Sequence, residues 1–156
     1  MPRVAVITVS DRAASGQAED RSGPAVAERL RDGGFDADAV QVVSDDPAEI
    51  REAIGNAAAR ARLVITTGGT GLSPRDHTPD VTTELADYLV PGMAEEMRRV
   101  GREKTPRAML SRGVVGVVGR SLVVNLPGSP SGAVESLDAV LPLIPHALEQ
   151  LVGAGH

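Results

Sequence analysis

The chain has 156 residues, a formal net charge of −5, no cysteine and only two aromatic residues, Phe35 and Tyr88. That length suits a single domain, 1–156, able to bury roughly 70% of its extended surface without cross-links. The absence of cysteine excludes a disulfide framework and a thiolate metal site, and an acidic chain nearly free of stacking rings argues against nucleic acid as a partner.

The first residues, MPRVAVITVS, lack a basic region followed by a signal-length apolar core. No apolar run approaches the ~20 residues needed to cross a bilayer. A cytoplasmic protein without a membrane partner is therefore expected. Val4–Val9 reads as a buried strand. Ser22-Gly23-Pro24 offers a helix cap and a first-turn proline, Val26 and Leu30 share the face that follows, and Gly33-Gly34 ends the helix. Ala37–Val43 reads as a second strand. Asp46-Pro47-Ala48-Glu49 is a capping-box pattern with proline at the first helical position, and Ile50, Ala53, Ile54 and Ala57 then line one helical face. Leu63–Thr66 is a third strand that runs into a glycine loop.

Thr78-Pro79 predicts another helix, broken at Pro91-Gly92, with a further helix marked by Met93, Met97 and Val100. Val114–Val118 and Leu122–Leu126 read as two strands joined by a tight hairpin at Gly119-Arg120. Helical patterning from Val134 to Val152 closes the chain, divided or kinked by Pro142 and Pro145. Strand and helix alternate through the first half, which implies crossover connections and a parallel sheet. The late hairpin makes the sheet mixed, so the expected fold is α/β, a three-layer αβα arrangement on a mostly parallel mixed sheet.

The strand ends carry the chemistry. They lead into Ser10-Asp11-Arg12, Ser44-Asp45-Asp46, Thr67-Gly68-Gly69-Thr70-Gly71 and Asn125-Leu126-Pro127-Gly128-Ser129. If these strands run parallel, all four loops share the carboxyl edge of the sheet, where open α/β sheets bind ligands, and helix starts beyond them favour anions. Glycines let the backbone close on a phosphate, and Thr67, Thr70 and Ser73 add hydroxyls. Aspartates repel phosphate but share Mg²⁺ with it, so a glycine nest beside aspartates reads as a magnesium–polyphosphate site. Each element also has a plainer reading. GGTG can be a tight turn, Asp45 and Asp46 a helix cap, Asp11-Arg12 and Arg75-Asp76 surface ion pairs, and His77 a solvated loop residue. The placement of four such loops together favours the ligand site.

Two nucleotide signatures are absent: GxGxxG would need glycine at Pro74, and the one lysine, Lys104, follows Glu103 rather than glycine. Pro130 occupies the nucleophile position of GSPSG, which excludes a G-x-S-x-G elbow. With histidines only at 77, 146 and 156, a histidine-rich metal site is not expected.

The motifs ITVSDR, EDRSGPAV, VVSDD, TTGGTG with PRDHTPD, PGMAEEMR, TPRAMLSR and VVNLPGSP, in this order and nearly end to end, resemble the molybdopterin adenylyltransferases of the MoaB/Mog family. The resemblance implies a homotrimer that transfers AMP from Mg-ATP to the terminal phosphate of molybdopterin and releases pyrophosphate. It implies catalytic, Mg²⁺-holding roles for Asp45 and Asp76. It puts substrate-holding loops at Ser10, Asp11 and Arg12; at Asp20, Ser22 and Gly23; at Gly68 to Gly71; at Ser111 and Arg112; and at Asn125, Pro127, Gly128 and Ser129. Arg12, Arg75 and Arg112 are the candidate countercharges. A molybdenum-inserting pathway protein would take the product. The chain departs from the family pattern at Ser44, His77 and Ser131. The competing expectation is a non-catalytic molybdopterin-binding or carrier paralogue; a third is an interaction scaffold.

Overall fold

Apolar residues alternate across strand β1 (Arg3–Val9), and nearly all are buried because helices cover both faces of the sheet. In the computed structural model, which describes residues 2–153, Val4 and Val6 point into one core with Leu63, Ile65, Leu122 and Val124. Ala5, Ile7 and Val9 point into the other with Val64 and Val123. His156 lies outside the described residues.

The sheet runs β2-β1-β4-β7-β6-β5, with β3 also paired to β1. Here β2 is Asp36–Ala37, β3 Gln41–Val43, β4 Leu63–Thr67, β5 Tyr88–Leu89, β6 Val115–Val118 and β7 Ser121–Leu126. Pairing of β1 with β2, β3 and β4, and of β4 with β7, is parallel; β6 is antiparallel to both neighbours. Helices α2 (Ser22–Asp32), α5 (Pro91–Lys104), α6 (Pro130–Val140) and α7 (Ile144–Leu151) close the first core. Helices α3 (Pro47–Arg60) and α4 (Thr78–Leu85) close the second. The three-layer mixed-sheet fold expected from the sequence is present.

Several local expectations are corrected. Residues 37–43 do not form one strand. β2 and β3 pair with opposite ends of β1, and Asp38, between them, takes an ion pair from Arg3. Pro91 does not break a helix but begins α5; α4 has already ended at Leu85, and Tyr88–Leu89 pairs at the sheet edge between them. This follows from proline's tolerance in the first helical turn. Ser22 is the first residue of α2 rather than its cap, and the Asp20 carboxylate accepts the Gly23 N–H instead, at 3.1 Å. Asp46 caps α3 by accepting the Ala48 N–H, but the capping box does not close: Ser44 accepts the Asp46 N–H and donates to Glu49. A short helix absent from the sequence reading, α1 (Asp11–Ala14), follows β1 and is capped by Ser10, which accepts the Ala13 N–H.

Registration positions the site. Thr8 pairs with Thr67, Thr67 with Leu126, and Val9 with Val43. The four polar loops therefore leave the sheet from one row. Helix α2 lies on one face and α3 on the other, so the strand order reverses at β1, and a crevice opens at its carboxyl end.

Candidate functional site: two clefts around a glycine loop

The glycine loop is built by close backbone packing. Gly68 (φ +99°) donates to the Leu126 carbonyl at 3.0 Å, and a Cβ there would overlap the Val9 carbonyl oxygen. Gly69 (φ +69°) accepts the Thr78 N–H at 3.2 Å, and a Cβ there would overlap the Thr78 hydroxyl. Both positions therefore require glycine on two grounds, the left-handed backbone and the lack of space. The Gly68 N–H is consumed by this packing. Among the described residues the N–H groups of Gly69, Thr70 and Gly71 have no hydrogen-bond partner, so the phosphate nest expected at Gly68–Gly71 narrows to those three.

On one side of this loop lies a cleft of about 410 Å³ that gathers Thr8, Ser10, Asp20, Ser22, Asp45, Thr67, Gly68, Gly69, Asp76 and Gly128. On the other lies a second, of about 430 Å³, lined by Thr70, Gly71, Ser111, Asn125, Pro127 and Ser129 together with residues of α5 and α6. The expected site residues thus fall on two depressions sharing one wall. Asp11, Arg12, Gly23, Arg75 and Arg112 line neither of them.

Asp11 instead ties loops together. Its backbone N–H donates to Asp45 Oδ2, and the Asp45 N–H donates back to Asp11 Oδ1, both at 2.9 Å. Arg75 completes the tie with a two-point contact to Asp11 at 3.0 and 2.9 Å. The plainer alternative of neighbour ion pairs at Asp11-Arg12 and Arg75-Asp76 is not what forms: Arg75 reaches across the loops to Asp11, and Arg12 has no ion pair among the described residues. Arg75 holds the Asp11 carboxyl below the usual aspartate range, chiefly by hydrogen bonding, with the Asp45 N–H assisting. Burial pushes the Asp45 carboxyl up, and the charges of Asp11 and Asp76 push the same way.

Asp45 and Asp76 share a construction. One Asp45 oxygen is held by the Asp11 N–H, while the other, Oδ1, lies toward Gly69. One Asp76 oxygen accepts the Ser73 N–H at 3.1 Å beside Gly71, leaving its other oxygen without a hydrogen bond among the described residues. Each carboxylate is thus oriented by the backbone and keeps one oxygen uncommitted.

Three expected ligand contacts turn out to be internal. Arg112 donates to the Gly71 carbonyl (2.9 Å), the Asp76 carbonyl (2.9 Å) and the Asp80 carboxylate (3.1 Å), so it fastens the loop that carries Asp76 and is not a free countercharge. Asn125 is buried; its two amide hydrogens go to the Thr66 and Thr82 hydroxyls, and its oxygen accepts the Val114 N–H. No Asn125 amide hydrogen is left for a ligand. The Thr67 hydroxyl is likewise spent on the Pro127 carbonyl at 2.7 Å.

The sequence reading missed the contributions of α5 and α6 to the second cleft: Ala94, Met97, Arg98 and Gly101 from one, Gly132, Glu135 and Ser136 from the other. The signal was the spacing i, i+3, i+4, i+7 with small residues at positions where a helix face would ordinarily pack. Among the described residues there is no cluster of three or more carboxylates and imidazoles able to cage a metal unaided, and no helix long and apolar enough to cross a membrane.

The chain matches the family described as a probable molybdopterin binding domain over residues 5–146. It is 52% identical to the molybdopterin biosynthesis enzyme MoaB of Thermus thermophilus, whose crystal structure superposes with a TM-score of 0.92 over 98% of both chains. It is 35% identical to the molybdopterin adenylyltransferase of Helicobacter pylori, over 96% of this chain and 88% of that one. It is 44% identical to the molybdenum cofactor biosynthesis bifunctional protein of Synechococcus elongatus over 97% of this chain, and spans about half of that protein's length (48%). With its strand order, glycine loop and paired aspartates set out, the chain belongs to the MoaB/Mog family of molybdopterin-binding proteins.

Proposed function

We propose that the protein is a molybdopterin adenylyltransferase of molybdenum cofactor biosynthesis, transferring AMP from Mg-ATP to the terminal phosphate of molybdopterin with release of pyrophosphate. The observation that carries this reading is the pair Asp45 and Asp76, each pinned through one oxygen by a backbone N–H and lining one cleft with Gly69.

The donor set fits Mg²⁺. That ion takes one or two carboxylates and completes its shell with water and substrate phosphates, so a two-aspartate site without a preformed cage suits it. Asp45 and Asp76 would be its protein ligands; when bound, it would neutralise phosphate charge and relieve the repulsion that raises the Asp45 pKa.

The remaining work falls to the chain itself. The N–H groups of Gly69, Thr70 and Gly71 have no partner among the described residues, so a phosphate could take them without breaking an internal hydrogen bond, a condition for strong electrostatic stabilisation. The shared glycine wall brings two substrates to either side of one loop, which converts an encounter of two polyanions into an oriented one. A phosphate oxygen of molybdopterin forms the new bond to the α-phosphorus of ATP, the bond from that phosphorus to the bridging oxygen breaks, and pyrophosphate leaves with the electron pair. The attacking phosphate is already deprotonated at neutral pH, so no histidine base is required. Within this reading the chain acts as one domain, in a cytoplasmic homotrimer, and passes its product to a metal-inserting partner.

The test is pyrophosphate release from ATP, Mg²⁺ and molybdopterin. Asp76→Asn keeps an acceptor for the Ser73 N–H and should lower turnover by at least ~10²-fold, the scale for one preorganised transition-state contact. A wild-type protein that binds molybdopterin and releases no pyrophosphate would establish the carrier reading instead.

A further inference from the structure

Resting on the adenylyltransfer reading above, we propose that Thr78 is the positioning residue of the glycine loop. Its buried hydroxyl fixes which way the Gly68–Gly69 peptide faces, and so whether that peptide offers a phosphate its N–H or its carbonyl oxygen. Thr78 touches no reacting group; it acts through the backbone that it holds.

Thr78 is the first residue of α4 and is fully buried. A threonine at a helix start ordinarily caps the helix by accepting a backbone N–H. Here His77 holds the cap position, and the Thr78 hydroxyl instead donates to the Gly68 carbonyl at 3.0 Å. The Thr78 N–H, one of the donors that a first helical turn leaves unpaired, goes to the Gly69 carbonyl at 3.2 Å. One residue thus holds two successive carbonyls of the loop.

A trans peptide is planar, and its C=O and N–H point in opposite directions. With the Gly68 carbonyl on the Thr78 hydroxyl, the Gly69 N–H points away from α4. With the Gly69 carbonyl on the Thr78 N–H, the Thr70 N–H does the same. The next peptide is fixed by the Arg112 N–H, which donates to the Thr70 carbonyl at 2.8 Å and so sets the Gly71 N–H. The three N–H groups left for a phosphate therefore owe their direction to three hydrogen bonds on the far side of their peptides. Of these three bonds, the Thr78 hydroxyl gives the one made by a side chain.

That bond also sits where the backbone has most freedom. Turning a peptide over changes ψ of the residue before it and φ of the residue after it. Both are glycine here, and glycine takes either sign of φ at little cost. The Gly68 N–H is anchored on the Leu126 carbonyl, so the turn would stay local. A turned peptide would aim the Gly68 carbonyl oxygen into the cleft that Asp45 and Asp76 already line, adding a further negative dipole against a phosphate. The hydroxyl of Thr78 holds the peptide in its anion-accepting sense.

The experiment compares the full chain with Thr78→Val and Thr78→Ser. Valine matches threonine in shape and lacks the donor; serine keeps the donor. Calorimetric titration with Mg²⁺ and α,β-methylene-ATP, which cannot be cleaved at the α–β link, reads nucleotide affinity, and ligand-free crystal structures of the three proteins read the peptide. Thr78→Val should bind the nucleotide ~10-fold or more weakly, the scale of one hydrogen bond to a charged group, with its Gly68–Gly69 peptide turned over. Thr78→Ser should stay close to wild type in both. Partial unfolding would lower the stoichiometry of the titration and not the Kd of the folded protein. An unchanged affinity or an unturned peptide in Thr78→Val, or a serine variant as weak as the valine one, would overturn the proposal and leave the adenylyltransfer reading standing. A wild-type protein that binds no nucleotide would overturn both.

Discussion

Asn125→Leu separates an internal tie from a substrate contact. In the structure the Asn125 amide joins three elements: β4 through Thr66, α4 through Thr82, and the segment entering β6 through Val114. Leucine matches asparagine in branching and heavy-atom count and is bulkier, so the change removes hydrogen bonds without opening a cavity. Stranding a buried polar group costs about 1–3 kcal/mol. The two threonine hydroxyls can rotate toward other acceptors, and leucine adds some apolar burial, so the three losses sum to about 3 kcal/mol rather than their maximum. For a chain of this length that corresponds to a fall of roughly 6–12 °C in Tm. Urea and thermal unfolding of the ligand-free protein, at fixed protein concentration because assembly contributes to apparent stability, would measure it. A loss under about 0.5 kcal/mol, within the range of ordinary surface substitutions, would refute the reasoning and return Asn125 to the substrate.

Asp45→Asn should make the ligand-free protein more stable at neutral pH, because the ionised carboxylate is held there against burial and two like charges. The folded-state pKa is raised, so this gain is full at neutral pH, shrinks as pH falls through the raised value, and is gone below the ordinary 3.8; unfolding followed from pH 7 to pH 3 reads it directly. Arg112→Lys should retain the charge but lose the fork that joins Gly71, Asp76 and Asp80. The expected result is a rise in the Mg²⁺ concentration needed for half-maximal turnover with the KM for molybdopterin little changed; an equal loss at all Mg²⁺ concentrations would mean that the clamp does not position Asp76.

The layout of this fold was legible because its strands are short apolar runs punctuated by glycine, proline and aspartate, and because alternation of strand and helix leaves few topologies. The loops after β1, β3, β4 and β7 could be placed on one edge from connectivity alone. Partner choice was not legible. Asp11, Arg12, Arg75 and Asp76 are near enough in sequence to suggest neighbour pairs, whereas Arg75 crosses to Asp11 only because β1 and β4 are adjacent in space. Arg112 and Asn125 were expected as ligand contacts because the family resemblance put both in substrate-holding loops. Their saturation depends on Asp80, Thr66 and Thr82, residues that no local pattern connects to them. The second cleft escaped notice because a helix face of alanine, glycine and methionine reads as core.

The proposed metal-and-phosphate cradle consists of Asp45, Asp76 and the Gly69 backbone, with Thr70 and Gly71 on the wall shared with the second cleft. Crystals grown with Mg²⁺ and a non-hydrolysable ATP analogue test it most directly. The account predicts a cation within ~2.1 Å of one oxygen from each aspartate, with the α-phosphate against Gly69. A well-ordered nucleotide whose cation touches neither Asp45 nor Asp76 would contradict it.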